Sequence, residues 1–108
     1  QEMFRLCCSP LPLHVSFTTL VFKTLEDKDT FVKFLKTPDG IKKMRTSRGC
    51  RCVEVMRSDA DVYMLIVRQV WDSQSDHEAY LKDSTMLDNV QHMLESDILV
   101  EQFTRLVL

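Results

Sequence analysis

The sequence predicts an α+β fold with the element order β-α-β-β-α-β, a ferredoxin-like arrangement in which helices cover one face of a four-stranded antiparallel sheet. Three observations carry this. Runs dense in β-branched and aromatic residues occur at His14–Lys23, Cys50–Arg57, Val62–Trp71 and Ile98–Leu108. Segments of helical period lie between the first and second runs and between the third and fourth. The second and third runs are joined by only the polar turn Ser58–Asp61, which makes them a hairpin.

Residues 1–13 show neither period, and Pro10 and Pro12 favour an extended arm ahead of a single domain over 14–108. Thr24 followed by Asp27 reads as a capping box opening a helix over 25–36, with Leu25, Phe31, Val32, Phe34 and Leu35 on its apolar face. Thr37-Pro38 breaks that helix. Pro38 suits the first position of a second short helix, capped by Thr37 and reaching Arg45, and Gly49 is placed to take a positive φ at its end. After Trp71, Ser75 with Glu78 fits a second capping box, opening a helix to Lys82. Asp83-Ser84-Thr85 interrupts, and Met86–Glu95 continues with Met86, Leu87, Val90, Met93 and Leu94 on its stripe. Strands one, three and four carry apolar residues on both faces, so the face away from the helices calls for a cover, and a homodimer with sheets face to face supplies one.

Composition narrows the function classes. At 108 residues with 44% apolar and 28% charged content, the chain is one ordinary small domain. A net charge of −2 gives no reason to expect nucleic acid, and the aromatic, glycine-flanked motif of RNA-binding sheets is missing. No apolar run approaches the roughly 20 residues of a membrane span, and the opening stretch lacks the pattern of a signal peptide. Four cysteines, Cys7, Cys8, Cys50 and Cys52, accompany six methionines, which reads as reduced thiols in the cytoplasm. Cys50 and Cys52 fall on one face of an alternating strand, but the spacing of a zinc knuckle is absent and no metal is expected. Basic residues from Lys36 to Arg51 and acidic ones from Asp72 to Asp97 read as two solvated faces.

From Val53 to Ser84 the stretch VEVMRSDADVYMLIVRQVWDSQSDHEAYLKDS resembles the antibiotic biosynthesis monooxygenase family, a branch of the dimeric α+β barrel proteins. It has the hairpin, the long strand ending in Trp, the short acidic loop, the helix with an Ala-aromatic pair and the Ser-containing break. The resemblance implies a homodimer with a pocket in each subunit between helices and sheet. In some relatives that pocket oxidises aromatic phenols or quinols with oxygen and without metal or flavin; others bind or degrade haem.

Carried over by position, Trp71 matches the strand-end Trp, and Val67 stands where some catalytic relatives have an amide. His77 lies near the helical position of a Tyr in such relatives, and Tyr80 near the helical Trp of haem degraders. Thr18 or Thr19 replaces the first-strand Asn of haem degraders, and His92 is slightly out of step with their His, so haem is a third option only.

The residues add their own weights. Tyr63, Val67 and Trp71 alternate onto one strand face, and an indole can stack a flat ring. His77 and Tyr80 share a helix face, where a His could take a proton from a phenol. Against this, His77 beside Asp76 and Glu78 reads as a surface residue, as does His92 beside Gln91, and His14 at a strand start is unremarkable. The expectation is a cofactor-independent monooxygenase-like domain with catalytic His77 and Tyr80 and a small aromatic ligand against Trp71, Val67, Tyr63 and His92. The alternative is a non-catalytic binding or dimeric assembly module of the same fold, its pocket filled by its own side chains.

Overall fold

A computed structural model describes residues 12–108. All but two residues of the expected N-terminal arm, Cys7 and Cys8 among them, lie outside the described residues. Four strands, β1 (His14–Val21), β2 (Cys50–Arg57), β3 (Met64–Trp71) and β4 (Leu99–Thr104), form one sheet in the order β2-β3-β1-β4. Every pairing is antiparallel. Helices α1 (Leu25–Leu35), α2 (Ile41–Arg45), α3 (Gln74–Asp83) and α4 (Met86–Val90) complete the predicted order.

Burial alternates along β1, as a two-faced strand requires. His14, Ser16, Thr18 and Leu20 point under the helices, opposite Trp71, Gln69, Val67 and Leu65 of β3. Leu20, Phe22, Leu65 and Val67 form the core there with Phe31 and Leu35 of α1, Met44 of α2, Val53 of β2, and Val90 and Leu94 beyond α3. The opposite face is built in rows fixed by register. One row runs Met56, Ile66, Thr19, Leu99; the next Glu54, Arg68, Phe17, Glu101; the next Cys52, Val70, Val15, Phe103. Leu99 and Phe103 of that face are 54% and 51% exposed.

The Thr24 cap forms as expected, its Oγ1 accepting from the Asp27 N–H at 3.0 Å. Several element ends differ from expectation, each for a local reason. Thr37 does not cap α2; its hydroxyl and N–H both donate to the Phe34 carbonyl and close α1, so α2 starts only at Ile41. Ser73, not Ser75, caps α3, because Ser73 holds the extended backbone a cap needs and its Oγ accepts from the Asp76 N–H at 3.1 Å. The last helix stops at Val90 and tightens into a 3₁₀ turn over Gln91–Met93, since the end of β1 captures Met93 to Glu95 through Lys23 N–H to Met93 O and Glu95 N–H to Val21 O. β3 begins at Met64, with Val62 and Tyr63 held in the turn by Asp61. β4 is shorter at both ends than the run Ile98–Leu108.

Cys50 and Cys52 are not on one face. The register slips between them, so Cys50 pairs with Trp71 under the helices while Cys52 pairs with Val70 on the other side. Gly49 precedes this bulge at φ 81°, the positive value expected for it. A Cβ at Gly49 would collide with the Asp76 side chain, so α3 packs onto a position that suits only glycine.

Candidate functional site

Five buried polar side chains lie in the otherwise apolar layer between sheet and helices: His14, Ser16, Thr18, Gln69 and His77. The β1–β3 register makes a seam of them. Ser16 Oγ donates to Gln69 Oε1 at 3.3 Å, and Gln69 Nε2 reaches Met44 Sδ at 3.2 Å. At the far end His14 Nε2 lies 3.1 Å from His77 Nδ1. One proton occupies that contact, donated by one ring and accepted by the other.

His77 is brought there by α3. Ser73 starts the helix so that His77, one turn in, drops onto Trp71, with ring centroids 5.3 Å apart and planes 20° from parallel. Tyr80, one turn further, meets the same indole at 5.4 Å. Trp71 is wholly buried, and its Nε1–H has no hydrogen-bond partner among the described residues. Burial, then the neighbouring His14, hold the His77 imidazole down to about 4 against the small opposing pull of Glu78. Burial also lowers His14, opposed by Gln102 and Glu78. The Tyr80 phenol is raised by burial, partly offset by Ser84. The Cys50 thiol is pushed up to about 11 by burial. The aromatic cluster is therefore neutral near pH 7.

Two spaces adjoin it. Beneath the helices, between Thr18, Val67, Gln69, Phe31 and Met44, a void of about 30 Å³ remains. That is room for a water or two, with the Thr18 hydroxyl and Gln69 amide as partners. Outside the helix layer, a cleft of about 600 Å³ opens between the α2 side, with Lys43 and Arg48, and the α3–α4 side, with Asp76, Asp83 and Asn89. Phe34, Tyr80 and Met86 supply its apolar wall. Tyr80 and Met86 border both spaces and so form the partition between them. Among the described residues no group of three or more His, Cys, Asp or Glu could hold a metal ion, and no helix is long and apolar enough to cross a membrane.

No family model and no curated protein matches the chain. Solved structures do match. A conserved protein from Methanosarcina mazei Go1 superposes with a TM-score of 0.79 at 10% identity, covering 90% of this chain and 96% of that one. A Nitrosomonas europaea protein provisionally assigned as an antibiotic biosynthesis monooxygenase gives 0.74 at 15% identity, covering 87% and 90%. The chain has an antibiotic biosynthesis monooxygenase-like fold. A dimeric ferredoxin-like protein from an uncultured marine organism shares this monooxygenase-like fold, with a TM-score of 0.68 at 8% identity over 90% of each chain.

Within the monooxygenase-like fold, the structure brings together Trp71, His77 and Tyr80, and Val67 borders the inner void. It separates the other two expected residues from them. Tyr63 is partly exposed in the β2–β3 turn, at the opposite end of β3 from Trp71, and His92 is exposed in the 3₁₀ turn. His77 is not the surface residue its acidic neighbours suggest; it is 1% exposed. His14, unremarkable in the sequence, is the partner that completes the cluster. The signal was the alternation His14, Ser16, Thr18, Leu20, which puts polar residues on the core face of β1.

Proposed function

We propose that this chain is a homodimeric small-molecule-binding module of the monooxygenase-like fold, taking a small aromatic ligand in the outer cleft against Phe34, Tyr80 and Met86. The supporting observation is the contrast between the two spaces. The layer under the helices is filled by the protein's own side chains down to about 30 Å³, whereas the cleft has about 600 Å³. Ligand pockets span roughly 300–1,000 Å³. An aromatic ring would lie on the apolar wall, and Lys43 or Arg48 would meet an anionic or hydroxyl substituent. The exposed apolar sheet face and the dimeric ferredoxin-like neighbour support the homodimer.

The test is titration with 1-naphthol and 2-naphthoate by calorimetry. Saturable binding, weakened about tenfold or more by Tyr80→Ala, is expected. Wild-type protein that shows no saturable heat up to millimolar ligand removes this reading.

One observation favours cofactor-independent oxygenation as a second reading: Tyr80 borders both spaces. With its phenol raised by burial it serves as a hydrogen-bond donor to a bound phenolate rather than as a base. His77, held down to about 4 and stacked on Trp71, is a weak base for a phenol. Aerobic incubation with naphthols or anthrone checks this. Oxygen uptake that falls in Tyr80→Phe supports it, and no uptake by wild type dismisses it.

A further inference from the structure

The two walls of the outer cleft carry opposite charge. Lys43 and Arg48 stand on the α2 side, with Asp39 ahead of α2 as the one carboxylate of that wall. Asp76 and Asp83 stand on the other side, two turns apart on the face of α3 that also carries Tyr80. None of these charged groups makes an ion pair among the described residues. Opposite charges that line one cleft of about 600 Å³ without meeting leave a gap that a ligand can span.

The two carboxylates of α3 differ in what they already do. Asp76 is committed: its Oδ2 accepts from Ser73 Oγ at 3.1 Å, and its side chain packs against Gly49. Asp83 is not. It is exposed at the last position of α3, where the free helix carbonyls gather negative charge, and no cation of the described residues pairs with it. That position is unfavourable to the helix and favourable to a cation arriving in the cleft. A flat ring held on Phe34, Tyr80 and Met86 projects one substituent towards each wall.

Resting on the reading of this cleft as the ligand site, and deepening it, we propose that the cleft is built for an aromatic zwitterion. Lys43 and Arg48 meet a carboxylate at one end of the ring, and Asp83 meets an ammonium at the other. The ring supplies contact area, and the two charges fix which way round it lies.

The experiment is calorimetric titration of the full chain with 2-naphthoate, 6-(hydroxymethyl)-2-naphthoate and 6-(aminomethyl)-2-naphthoate. The last two differ only in the ammonium. Wild type is expected to bind the aminomethyl compound about fivefold more tightly than the hydroxymethyl one, a gap that narrows in 0.5 M salt. Asp83→Asn is expected to abolish the gap, with a melting temperature equal to or above that of wild type. Asp88→Asn, an equal charge change on α4 outside the cleft wall, is expected to retain it. Equal affinities in wild type, a gap that survives in Asp83→Asn, or one lost equally in Asp88→Asn overturns the zwitterion, while saturable 2-naphthoate binding keeps the cleft as the ligand site. No saturable heat from any of the three compounds overturns both.

Discussion

Between pH 6.5 and about 4 an unfolded His77 takes up a proton that the folded imidazole refuses, because burial and the adjacent His14 oppose its charge. The folded pKa lies below the unfolded one, so stability is fully present above pH 6.5 and falls as pH drops towards 4. The loss expected from this residue is about 2–3 kcal/mol. Urea midpoints measured across that range for wild type and His77→Phe check it. The Phe variant keeps a ring on Trp71 and removes the titration, so its curve should fall less; parallel curves would sink the assignment. His77 also shows where sequence reading ends. Its neighbours Asp76 and Glu78 are exposed-type residues, and only the docking of α3 on β1 and β3 reveals that the ring between them points inward. Trp71 and Tyr80 were legible because a strand end and a helix turn place them; His14 was not, because its partner is 63 positions away.

Helix α3 is positioned from both ends of its first turn, by Ser73 and by the contact of Asp76 with Gly49. Ser73→Ala removes the acceptor for the Asp76 N–H and is expected to cost about 1 kcal/mol by chemical denaturation. Ser75→Ala, exposed within the helix, is expected to cost less than about 0.5 kcal/mol. Equal losses would mean the cap is misplaced. Gly49→Ala combines a positive φ with a clash on Asp76 and is expected to cost about 2–3 kcal/mol. Adding Asp76→Ala should return only part of the steric cost, since the Cβ it keeps would lie 2.7 Å from the new methyl, and should leave the backbone strain. The elements themselves were largely legible, since periodicity reports burial and the domain buries one face of each element. Their ends were not. Thr37 and Met93 each had a second use for their backbone or side chain, Ser73 took the cap that Ser75 also fits, and competition between hydrogen-bond partners is invisible in a window of a few residues. The bulge at Cys50–Cys52 is the same kind of miss: strict alternation assigns both thiols to one face, and a single inserted residue separates them.

At the scale of the molecule, that separation divides the thiols by fate. Cys50 faces the helices with its thiol raised to about 11, so alkylation by iodoacetamide should be slow in any assembly state. Cys52 lies on the outer sheet face beside Arg68. In the proposed homodimer it would be covered, so its labelling, followed by peptide mass, should speed up by about tenfold or more when the protein is diluted until it dissociates. Equal Cys52 rates at high and low protein concentration would place any interface elsewhere. The two-sided strands call for a cover on the second face; which residues stand on that face required the register.

The position of β1 between β3 and β4 also sets an order in time. The β2–β3 hairpin closes a short turn and can form once Trp71 has emerged from the ribosome, and it can then dock on β1. The other edge of β1 must wait until the ribosome has delivered the strand that pairs Leu99 with Thr19 and Thr104 with His14. Throughout that interval a nascent three-stranded sheet presents an unpaired edge and an uncovered apolar face together. Slow emergence of the segment from Asp72 to Ile98 would therefore lengthen exposure of that edge and face, making yield depend on translation speed as well as on final stability.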